Sequence, residues 1–93
     1  MKINFTNHSK KRMQQRGISE QAVIHIIQQG DHQYDGHGAK VYFINRKHRE
    51  LRPSYISTDI YKRIRKQLNG YVVVAEDSGS VITVGHRIKR RRN

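Results

Sequence analysis

Apolar positions change their spacing along the chain, and each change marks an element. Ala22, Val23, Ile26 and Ile27 fall at i, i+1, i+4 and i+5, the spacing of one buried helical face. Ser19 can cap that face, Glu20 suits the positive end of the helix dipole, and Gly30 closes it. The spacing therefore predicts a helix over 19–29. Upstream, Thr6 or Asn7 can cap a first helix over 7–16 that ends at Gly17, a residue suited to the left-handed position past a helix end. Met13 is its only large apolar residue, so it packs through a narrow stripe helped by Phe5 and Ile18, and the rest faces solvent or ligand. Ile60, Ile64 and Leu68 form an i, i+4, i+8 stripe opposite Lys62, Arg63 and Lys66, which predicts a third helix over 58–68, capped by Ser57 or Thr58.

Elsewhere the pattern turns to β. Residues 40–45 are β-branched and aromatic and read as a strand; 71–75 and 81–86 flank the turn material of 76–80 and read as an antiparallel hairpin. Residues 30–39 hold three glycines without a period and read as a mobile connection, while 46–57 carries no clear signal. The sum is an α+β domain: two N-terminal helices and a third, gathered on one face of a small antiparallel sheet.

Composition narrows the function classes. With 93 residues the chain holds one domain, 1–93, and Leu, Ile, Val and Phe make up 22 of them, enough to fold around a thin core. Cysteine is absent, which removes disulfides, thiolate nucleophiles and cysteine-ligated zinc. No segment has the roughly 20 apolar residues of a membrane span and no leader pattern opens the chain, so a cytoplasmic location is expected. The net charge is +12, with +4 in residues 1–46 and +8 in 47–93. A polyanionic partner explains that excess most economically, and nucleic acid comes before membrane because no basic amphipathic anchor is present. The basic tail 86–93 carries five cations and no acid, and suits either non-specific attraction or phosphate contact through Arg87.

Several residues could carry chemistry. His8, Arg12 and Arg16 are spaced i, i+4, i+8, so helix one presents a base and two cations in one row. Metal-free RNA cleavage needs a base for the 2′-hydroxyl, an acid for the leaving 5′-oxygen and fixed positive charge, which imidazole and guanidinium supply at neutral pH. The same row also fits an ordinary solvated basic helix. His86 ends the last strand; strict alternation sets it on the face opposite Thr83 unless Gly85 makes a bulge. Tyr42 and Tyr71 could stack on unpaired bases or pack half-buried, and Lys40 could contact phosphate or guard a strand edge. His32 and His37, with Asp31 and Asp35, match no compact zinc spacing, so neither metal nor cofactor is expected. His25 and His48 read as solvated.

The run His8-Ser9-Lys10-Lys11-Arg12-Met13-Gln14-Gln15-Arg16-Gly17-Ile18-Ser19, leading into Val23 and Ile26-Ile27, resembles the opening of a family of small uncharacterised bacterial domains placed with the RelE/ParE-like toxins, in the barnase/colicin/RelE-like (BECR) ribonuclease fold. Val72-Val73-Val74, Asp77-Ser78-Gly79 and Ile82-Thr83-Val84 match that family's closing strands. The resemblance implies helices packed on an antiparallel sheet, a RelE/barnase-like arrangement, with an exposed RNA-binding face and metal-independent endoribonuclease activity. It carries His8, Arg12 and Thr83 into the site, with Arg16 either binding substrate or fixing the turn into helix two. The stretch 46–69 departs from the family by its length, its basic character and its added helix.

Two functions fit. The first is a toxin-like endoribonuclease that leaves a 2′,3′-cyclic phosphate and is held in check by an acidic antitoxin. Its second proton-transfer group would be His86 or a tyrosine. The other is a non-catalytic nucleic-acid- or ribosome-binding module that uses the same basic surface to hold phosphates.

Overall fold

A computed structural model describes residues 3–44 and 57–86. The elements run β1 (Asn4–Phe5), α1 (Asn7–Arg16), α2 (Glu20–Gln29), β2 (Asp31–Tyr34), β3 (Ala39–Phe43), α3 (Thr58–Ile64) with a 3-10 turn over Arg65–Gln67, β4 (Gly70–Ala75) and β5 (Ser80–His86). The strands form one sheet in the order β1-β5-β4-β3-β2. It is mixed rather than purely antiparallel, because β1 runs parallel to β5 with Asn4 opposite Ser80 and Phe5 opposite Val81. The fold is α+β as expected, with the third helix late in the chain.

Local chemistry explains the helix ends. The Thr6 hydroxyl accepts from the Ser9 amide at 3.1 Å, and Gly17 takes φ 65°, so that the Ile18 amide reaches back to the Met13 carbonyl at 2.9 Å. Ser19 caps α2 through the Ala22 amide, and Ser57 caps α3 through the Ile60 amide. The Gln67 side-chain oxygen accepts from both the Ser19 amide (2.7 Å) and its hydroxyl (3.0 Å), which pins the 3-10 turn to the start of α2. The core joins Val23, Ile26 and Ile27 of α2 to Tyr61, Ile64 and Leu68 and to the helix-facing sheet residues Tyr42, Val72, Val74, Val81 and Val84. In α3 the buried stripe runs through Tyr61, with Ile60 half-buried.

The stretch 30–39 is not a plain connection. Residues 31–34 pair with β3 as an antiparallel strand, from Asp31 opposite Phe43 to Tyr34 opposite Lys40. All four of its residues are exposed, so its pairing rests chiefly on the main-chain ladder and hydropathy carries no trace of it. The turn is built by Asp35, whose carboxylate accepts from the His37 and Ala39 amides while Gly36 and Gly38 take positive φ. His25 is buried rather than solvated: 4% exposed, set edge-on to Tyr61, its Nδ1 unpaired, its pKa lowered by burial. The stretch 46–56, with His48, and the tail 87–93 lie outside the described residues. No helix among the described residues is long and apolar enough to cross a membrane.

Candidate functional site

The site grows from how α1 meets β5. Since β1 is only two residues long, most of the outer edge of β5 has no partner strand, and α1 covers it. Thr6 Oγ1 donates to the Val81 carbonyl at 2.8 Å, and Arg16 Nη1 donates to the Val84 carbonyl at 2.8 Å. Those carbonyls lie about 10 Å apart along a strand, whereas Thr6 and Arg16 are about 15 Å apart along a helix. The Arg16 side chain therefore leans back toward the start of α1, the direction helical side chains favour, and brings its guanidinium level with the turn that holds Arg12.

Glycine at position 85 makes this possible. A Cβ there would lie 2.7 Å from the Tyr71 hydroxyl and 2.8 Å from Arg16 Nη1, so a phenol and a cation meet over one bare backbone position. Gly85 and Tyr71 are register partners. Thr83 lies one rung further along the same face, opposite Val73. On α1, His8 is exposed and Arg12 is half-buried, its Nη1 donating to Gln15 Oε1 at 3.4 Å. Buried Ser9 and Met13 hold the adjoining helix face against the domain, so the row His8, Arg12, Arg16 borders the seam with β5.

A bulge sets which strand residues reach this seam. Val73 pairs with Thr83 but Val74 pairs with Val81, so Ile82 is the extra residue, 41% exposed. The phase is reset there and not at Gly85. Thr83 and His86 therefore point to opposite faces, and His86 shares the helix side with Val84. There its Nε2 donates to the Arg16 carbonyl at 2.7 Å, closing one of the open carbonyls at the end of α1, while Nδ1 faces Asn69 Oδ1 at 3.4 Å.

Two other residues singled out from the sequence lie elsewhere. Tyr42 is opposite Val72 on the helix side of the sheet and 6% exposed, its ring against His32; Lys40 is opposite Val74 on that same side. Arg87 falls outside the described residues. Among the described residues no three His, Cys, Asp or Glu side chains come together where they could hold a metal ion. Sequence reasoning missed Asn69 as the partner of His86 and read Gly85 only as a possible bulge; the close approach over Gly85 needs the pairing of β4 with β5 and leaves no mark in composition.

Fold and seam define a small basic α+β domain in which an N-terminal helix lies along the edge of the last strand. The chain matches, over residues 5–86, the family model described as Domain of unknown function (DUF4258), and it belongs to that family. No curated protein and no solved structure matches it.

Proposed function

We propose that this domain is a toxin-like, metal-independent endoribonuclease, related to the RelE/ParE-like toxins of the BECR fold, with its reacting centre at the seam between α1 and β5. One observation carries the reading: Arg16 and the Val84–Gly85 segment, 68 residues apart in sequence, are joined directly, so the helical row and the strand bearing Thr83 share one surface. His8 takes the proton of the 2′-hydroxyl as its oxygen attacks phosphorus. The bond from phosphorus to the 5′-oxygen breaks, and that oxygen leaves with a proton. Arg12 stabilises the charge on the phosphoryl oxygens, and Thr83 and Arg16 position the phosphate. The products are a 2′,3′-cyclic phosphate and a 5′-hydroxyl.

The acid is better assigned to Tyr71 than to His86. Helix rise puts His8 and the Arg16 carbonyl, where His86 is tied, about 12 Å apart, too far for two groups to flank one phosphate. Tyr71 stands beside the guanidinium of Arg16, which leans back about one turn. An acidic antitoxin protein fits the +12 charge as the partner that covers this face.

A second reading, a non-catalytic nucleic-acid- or ribosome-binding module, draws on the use of Arg16 and His86 as ties between α1 and β5. The deciding experiment is RNA cleavage in EDTA by wild type, His8→Ala and Tyr71→Phe, with binding to the same RNA measured in parallel. Under the nuclease reading each change slows cleavage about 10²- to 10⁴-fold and leaves binding largely intact. Products with 5′-phosphate ends, or binding without any cleavage by wild type, would move the assignment to the second reading.

A further inference from the structure

The opposite edge of the sheet carries a feature that the seam does not use. Tyr34 on β2 is 62% exposed, the most open of the large apolar side chains among the described residues. A tyrosine gains little from burial at that exposure, yet its ring is held in place. Lys40 Nζ lies 5.6 Å from its centroid, and the His32 ring stands edge-on to it at 5.4 Å. His32 in turn rests on Tyr42, again at 5.4 Å, and Tyr42 is anchored in the core. The cross-strand pairs Tyr34 with Lys40 and His32 with Tyr42 put all four side chains on one face of the β2–β3 hairpin.

Next to this group lies an open hollow of about 320 Å³, lined by Lys40, Tyr42, Val74 and Glu76 among others. The charges around it are sorted. Asp35 is occupied by the turn amides, and Asp31 sits opposite Phe43 on the other parity of the strand, so Lys40 is the cation shared by the rings and the hollow, and Glu76 is the acid that lines the hollow. A ring face with a cation next to it suits a nucleobase and its phosphate, and a carboxylate accepts from the exocyclic amino group of a base while repelling phosphate.

We propose that this hairpin face is a second contact site for unpaired RNA, in which Tyr34 and His32 stack on bases, Lys40 holds the adjoining phosphate, and the hollow receives an amino-bearing base edge against Glu76. The site rests on the reading of the domain as one that acts on RNA, but not on cleavage. It lies three strand spacings, about 14 Å, from β5, on the helix side of the sheet, whereas Thr83 and Tyr71 are on the opposite face, so it is a site separate from the seam.

The test is the affinity of wild type, Tyr34→Ala and Tyr34→Phe for a short single-stranded oligocytidine, an abasic phosphodiester of the same length and an RNA duplex, with thermal melts confirming that each variant is folded. Tyr34→Ala should weaken oligocytidine binding about 5- to 150-fold. Tyr34→Phe, which keeps the ring, should stay within about twofold of wild type, and neither change should move the abasic or duplex affinities. Equal oligocytidine binding by wild type and Tyr34→Ala, or an equal loss on all three probes, would overturn the site. Tyr34-dependent binding in a protein that does not cut RNA sustains it while removing the nuclease reading; cleavage that goes with oligocytidine binding indifferent to Tyr34 removes the site while sustaining the nuclease.

Discussion

Two glycines separate a structural requirement from a functional one. At Gly30 a Cβ would run into the backbone oxygens of Phe43 and Ile26, neither of which can yield without moving β3 or α2. Gly30→Ala should therefore cost about 2–4 kcal/mol, read from denaturant unfolding. At Gly85 the obstructing atoms are the ends of two flexible side chains, Tyr71 and Arg16, so Gly85→Ala should cost only about 1 kcal/mol. The side chains would have to swing aside, and cleavage should fall about 10- to 100-fold in a protein that still melts cooperatively. Similar unfolding free energies for the two variants, or full cleavage by Gly85→Ala, would contradict this division. At this scale the sequence was partly legible. The spacing of His8, Arg12 and Arg16 marked a helical row, because side chains on one helix obey a fixed period. What Arg16 and His86 bond to was not legible, since both partners come from sequence neighbours 68 and 70 residues away.

Among the elements, α2 and α3 meet at a titratable contact. His25 is buried against Tyr61, and burial lowers its pKa from the usual value near 6.5. The folded state thus holds the neutral ring more firmly than the unfolded chain does. Its contribution to stability is complete above the unfolded value and is lost as pH falls through the depressed folded value. The melting temperature should drop as pH is lowered from about 7 to about 5, and His25→Leu should flatten that part of the profile. An unchanged profile in His25→Leu would place the pH dependence elsewhere. The helices were legible because caps and apolar periods agree in each of them: Ser19 with Ala22, Val23, Ile26 and Ile27 defines α2 by sequence alone. Strand β2 was not, because Asp31, His32, Gln33 and Tyr34 are all exposed and their pairing is made by the main chain, whose donors and acceptors are the same in every sequence.

For the molecule as a whole, charge governs how it meets its partner. Residues 87–93 carry five of the 19 basic side chains. If the tail contacts phosphates, its removal should lower the slope of log affinity against log salt by about 3 to 4 for single-stranded RNA and leave the Tyr34 dependence intact. An unchanged slope would mean that the tail stays off the nucleic acid. The sheet itself has unequal sides. On one, Thr6 and Arg16 bond the outer carbonyls of β5; on the other, β2 has no strand beyond it among the described residues. A sheet closed along one margin can be extended only once. Two molecules joined edge to edge through β2 would each have used that margin, so among the described strands this mode of pairing stops at two copies.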